Sequence, residues 1–245
     1  MNKNSQNRFL LFGVLFIIVV WSGCSLVVNN SLVLPSIKDV LISLKDILLS
    51  HNTYLIILMT FLKLALVVVA SLIIALILAL LSFKTKGFES FIKPLLVFLK
   101  TIPVIAIIIF LLISFGRNLS PYIMTALVVV PIMYEGLLTS LKSISPALID
   151  DLKTLSNTNW LVIKDFYFPL IINFVLMTII QSFGLGLKVM IMGEFIAQPN
   201  GTIGYLLQLE RSALNSSAIL AWSIILIMMV LAVESLMSFT LKTDK

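Results

Sequence analysis

Six stretches of this chain, roughly 9–28, 64–83, 95–115, 122–141, 170–193 and 218–241, are apolar almost without interruption. Each is about 20 residues long, the length a helix needs to cross a hydrocarbon layer of about 30 Å. Inside hydrocarbon no water is present to satisfy a backbone N–H or C=O, so each stretch has to bond within itself. The expected fold is therefore all-α and polytopic, with about six transmembrane helices. Composition agrees: 60% of the 245 residues are hydrophobic and 11% charged, where a soluble chain carries about 25% charge. The blocks divide the chain into a short N-terminus (1–8), a first span (9–28), an external loop with an amphipathic helix (29–63), a five-helix core (64–241) and a tail (242–245).

The net charge of +6 points to topology and not to a nucleic-acid partner, because no basic stripe with interleaved aromatics occurs. With the N-terminus inside, ten lysines and arginines fall in the inner segments and four (Lys38, Lys45, Arg117, Arg211) in the outer loops. That bias predicts a multi-pass protein of the plasma or inner membrane with both termini cytoplasmic. The remaining cations, Lys63, Lys100 and Lys188, lie in or beside spans; Lys63 and Lys100, near span ends, are expected to snorkel to the surface. Glu135 and Glu234 are intramembrane carboxylates, set either to face a water-filled path or to seek a cation. Cys24 is the only cysteine and His51 the only histidine. An intrachain disulfide, a cysteine metal cluster and a histidine zinc site are thereby excluded, and His51 reads as a solvated loop residue. The start resembles a lipoprotein signal ending at Cys24, but Trp21 stands where such signals want leucine, so the segment reads as a membrane helix.

The longest polar interruption, PALIDDLKTLSNTNWLVIKDFYFP, runs over 146–169, and the charge bias places it inside the cell between the fourth and fifth spans. Ser145 followed by Pro146 is a helix-start signal. Leu148, Ile149, Leu152 and Leu155 then share one helical face, with Asp150, Asp151, Lys153 and Thr154 on the other. Ser156 to Asn159 breaks the pattern as a turn, and a second short helix leads to Phe168-Pro169. Two such short helices are marginal alone and need packing. Two aspartates on the polar face disfavour an anionic lipid surface and favour a protein partner with a groove.

This segment resembles the cytoplasmic coupling motif of ABC importer permeases: Glu-Ala-Ala, three residues, Gly, nine residues, then Ile-x-Leu-Pro. Here Asp150-Asp151-Leu152 stands at its start, Ser156 at the turn glycine beside Asn157, and Phe166-Tyr167-Phe168-Pro169 at its end. Other stretches resemble the branch of those permeases that serves sulfonates, taurine, nitrate and thiamine-precursor pyrimidines. They are LVLPSIKDVLISL, with Ile37 at a usual proline; PLLVFLKTIPVIAIIIFLLISFG; and GLGLKVMIMGEFIAQPNGTIGYLL, with Glu194, Gly201, Gly204 and Tyr205 in place.

The resemblance implies a type I importer permease fold with a cytoplasmic coupling-helix hairpin at 145–168. It also implies two copies of the chain in membrane lipid, a separate ABC ATPase that binds ATP and Mg, and an extracytoplasmic substrate-binding protein. ATPase contact would fall on Asp150, Asp151, Leu152, Leu155, Ser156, Asn157 and Pro169. No phosphate-binding Gly-rich loop occurs in the chain, so it is expected not to be an enzyme and to bind no cofactor itself. The translocation pathway or its gate is expected at Gly184, Gly186, Lys188, Glu194, Gly201 and Gly204. For the glycines, ordinary helix packing is the competing reading; for Lys188, snorkelling or a pair with Glu194. Pro103 is expected to kink the third span. The alternative function is an ion-coupled transporter working without an ATPase, although no internal repeat supports it.

Overall fold

A computed structural model describes residues 3–144 and 168–243. Those residues form eight helices and no strand: α1 (Lys3–Val28), α2 (Ile37–Leu49), α3 (His51–Lys84), α4 (Lys86–Thr101), α5 (Val104–Lys142), α6 (Phe168–Ala197), α7 (Ile203–Ser212) and α8 (Ser216–Thr243). Five of them, α1, α3, α5, α6 and α8, are long and apolar enough to cross a membrane. The coupling motif falls on 145–167, outside the described residues; only its last element, Phe168-Pro169, is described, as the first turn of α6, where proline is well tolerated.

The short helices start where the local chemistry satisfies their free N–H groups. At α2 the Ser36 hydroxyl accepts from the Asp39 N–H at 3.2 Å, and the Asp39 carboxylate accepts from the Ser36 N–H at 3.2 Å. This reciprocal cap fixes the expected amphipathic helix after the first span. His51, expected in a loop, is instead the first residue of α3, where it is exposed. The expected span 64–83 thus lies inside a longer helix of about 51 Å. Lys63 made the apolar block look as though it ended there. In the structure its ammonium lies 5.6 Å from the centre of the Tyr122 ring, a contact that accommodates the cation beside the bundle.

The third expected span, 95–115, is not one helix. Ile102 and Pro103 are extended (ψ 132° and 126°), so the chain breaks there instead of kinking. Proline lacks the N–H that would continue the ladder and pushes its predecessor out of the helical region. Residues 86–101 form the separate amphipathic α4. The stretch 104–115 is a leg of only about 18 Å, which reverses at Gly116 (φ 70°, ψ 176°). That left-handed backbone is open to glycine and strained for other residues. The reversal is shown by a contact at its foot: Lys100 reaches Glu135 at 2.7 Å, which a straight α5 would carry tens of ångströms away. The leg packs back on its own helix, with Ile107, Ile108 and Leu111 in one cluster with Met124 and, from α6, Val189.

Alternation of the helices gives the bundle two ends. Lys84, Lys86, Glu89 and Lys142 gather at one, where α3, α4 and α5 meet. Residues 29–36, α2, α7 and the start of α8 gather at the other, tied by a 3.0 Å bond from Ser43 to Ser217 and by a bond from the Ser216 hydroxyl to the Leu32 carbonyl. Helix α6 is the hub, packed chiefly on α5 and also on α3, α7 and α8.

Candidate translocation site

Two faces of α6 differ in kind. On the inward face small residues set the spacing. A Cβ on Gly193 would sit 2.7 Å from the Met124 methyl and 3.0 Å from the Pro121 Cα, and one on Gly186 would sit 3.2 Å from Leu64. Without a hydrophobic drive between helices in lipid, such close backbone approach is what holds them together by dispersion. Thr178 lies against Gly136 of α5 in the same way, and Tyr134 donates to Ser82 of α3 at 2.9 Å.

The outward face carries Met177, Gln181, Gly184 and Lys188, spaced four, three and four residues apart on one stripe. Gln181 and Lys188 are exposed and Gly184 partly so. An amide and an ammonium on the outer face of a spanning helix are expensive against lipid tails. Lys188 lines a cleft of about 550 Å³ between α6, α7 and α8, with Phe195, Leu207, Ser223 and Leu231 among its walls. It has no acceptor among the described residues and no pair with Glu194. Six residues apart on a helix, the two point to different sides.

Glu194 is fully buried at the corner where α6 gives way to α7. One carboxylate oxygen accepts from the Gly204 N–H at 3.2 Å, and the other has no partner among the described residues. The corner is built around that bond. Gly201 takes a positive φ of 72°, Thr202 caps α7 by accepting from the Tyr205 N–H at 3.2 Å, and any Cβ on Gly204 would overlap Glu194 and the Phe195 backbone. The carboxylate at the start of α7 also favours the positive end of that helix. Of the expected pathway residues, Gly184 and Lys188 therefore share an exposed stripe. Gly186, Glu194 and Gly204 lie inside the chain's own packing, and Gly201 forms the turn.

Sequence reasoning missed Gln181, Gly136 and Gly193, and it missed two ion pairs. Gln181 was readable, being seven residues before Lys188 and so on its face. The pairs were not: Lys100 binds both oxygens of Glu135 at 2.7 Å, and Lys142 binds Glu89 at 2.6 Å. Lys100 thus pairs with Glu135, which finds its cation. Glu234 is exposed on α8. Among the described residues no cluster of His, Cys, Asp and Glu is arranged to hold a metal.

A helical bundle of membrane-spanning length, with a polar stripe on the outward face of its central helix, defines a multi-pass membrane protein built around that helix. The chain belongs to the family of inner membrane components of binding-protein-dependent transport systems, whose model matches residues 71–241, well over half its length. That makes it a permease component of an ABC transporter. No curated protein matches the sequence.

Proposed function

We propose that this chain is the permease subunit of an ATP-driven importer, with both termini in the cytoplasm of a cell or inner membrane. Two copies enclose a pathway for a small polar solute handed over by an extracytoplasmic binding protein. A separate ATPase, which binds the ATP and Mg, grips residues 145–169 through Asp150, Asp151, Leu152, Leu155, Ser156 and Asn157. Pro169 starts the helix that receives the motion, and that helix is α6.

The observation that carries this reading is the outward stripe Gln181–Gly184–Lys188 on the best-packed spanning helix. Polar groups so placed suit a water-filled path between two copies better than lipid. Glu194, Gly186, Gly201 and Gly204 support the path by holding α6 against α5 and α7. From Phe168 to the stripe α6 is one continuous helix. Motion delivered at its foot reaches Lys188 about 30 Å away without a joint.

The test is co-purification in detergent with the ATPase encoded beside this chain, followed by D150K/L152E. Loss of the ATPase from the complex is expected. Retention of both ATPase binding and transport removes the coupling assignment, and solute uptake by the purified chain alone favours the ion-coupled alternative.

A further inference from the structure

Helix α4 has three sectors, and only two are explained by the fold. Ile92 and Leu96 are buried against the bundle. Glu89 and Lys100 are spent on Lys142 and Glu135. A third face, Lys86, Ser90 and Lys93, follows at spacings of four and three residues and is exposed. Lys84 stands two residues before it at the end of α3 and is exposed as well. None of these three lysines has an acceptor among the described residues, and α4 offers no free carboxylate to balance them, since Glu89 is already paired.

Beside the core-facing sector, opposite the lysines, lie Phe91, Leu95 and Phe98, exposed by 76%, 52% and 57%. Large apolar side chains on one flank and unpaired cations on the other demand an occupant that is apolar and anionic within one helix width. A free anion would leave the phenylalanines uncovered, and neutral lipid would leave the lysines without a partner. The position fits, because the charged residues of α3, α4 and α5 gather at this end of the bundle.

We propose that the Lys86–Ser90–Lys93 face of α4, with Lys84 beside it, is a headgroup site for an anionic phospholipid. The acyl chains of that lipid cover Phe91, Leu95 and Phe98. Lys86 and Lys93 bracket the phosphate, and the Ser90 hydroxyl between them donates a hydrogen bond. A headgroup bound here braces α4, the element that ends in the extended Ile102-Pro103 joint.

The experiment is native mass spectrometry of the full chain in detergent, with dioleoyl-phosphatidylglycerol and dioleoyl-phosphatidylcholine added in equal amounts. Preferential retention of the glycerol lipid is expected. Replacing lysine by glutamine should reduce it about fivefold for each lysine near the surface, so that K84Q/K86Q/K93Q loses the preference. K84R/K86R/K93R should keep it, as should the control K38Q/K45Q, which removes two exposed lysines of α2 at the opposite end. An unchanged preference in the glutamine triple variant overturns the site. So does displacement of the lipid by millimolar inorganic phosphate, which would show a bare anion site, and so does equal loss in the α2 control, which would show a net-charge effect.

Discussion

Helices α1 and α6 look alike as strings of letters: each is apolar, of spanning length, and holds glycines. In the structure they are opposites. None of the apolar window of α1 is buried, against 44% of that of α6. A Cβ on Gly13 or Gly23 of α1 would meet nothing within 4 Å, while one on Gly193 of α6 would strike Pro121 and Met124. Two bonds to the following loop hold α1, from the Trp21 indole to the Pro35 carbonyl at 3.1 Å and from Ser25 to Leu34 at 3.3 Å. Apolar length decides that a segment enters a membrane. Small residues facing a neighbour decide what it packs on, because lipid supplies no hydrophobic reason to prefer a protein surface.

The contrast is broken most severely by substituting the glycines. G193L should cost about 3 kcal/mol or prevent assembly, since one obstacle is backbone. G13L should change stability by less than about 0.5 kcal/mol. Thermal unfolding in detergent reads both, and equal losses would mean that α1 packs as tightly as α6. Next comes the α6–α7 corner. E194L leaves the Gly204 N–H without its acceptor in a buried place, a cost of about 1–3 kcal/mol. E194Q keeps an oxygen there and should lose less. Hydrogen exchange at Gly204 and Tyr205 should rise in the leucine variant first.

Smaller effects sharpen the comparison. E135K should loosen α4 by up to about 1 kcal/mol, the range of part-exposed pairs, and K100E/E135K should restore most of it; a double-mutant cycle on proteolysis of the 102–103 joint measures the coupling. The least effect is expected from W21F, which removes the main tie of α1. The core should unfold unchanged, while alkylation of the exposed Cys24 reports any change in how the helix is held. A drop in core stability here would show that α1 contributes to it.

Much of this architecture was readable from residue order, and the misreadings share a cause. The spans at 9–28, 122–141, 170–193 and 218–241 lie within observed helices, and the start of α6 at Phe168-Pro169 follows from local chemistry. The start of α3 is hidden in the sequence because Lys63 looks like a boundary until Tyr122 is brought beside it. The span at 95–115 reads as one kinked helix because apolar runs do not show that the backbone at Ile102-Pro103 is extended. The partner of Lys100 is not legible in the sequence because it lies 35 residues away.

For the candidate site, Lys188 and Glu194 are equally visible as charges in an apolar stretch, and their spacing puts them on different sides of the helix without saying which side is buried. The sequence by itself determined that the chain is helical, membrane-spanning and of this transport family. Those properties follow from the energetics of backbone groups in hydrocarbon and from local order. Only tertiary structure decided that Glu194 closes a buried corner while Lys188 faces outward. The role of an ionisable group depends on which helices surround it, and helix neighbours are set by contacts between residues far apart in the chain.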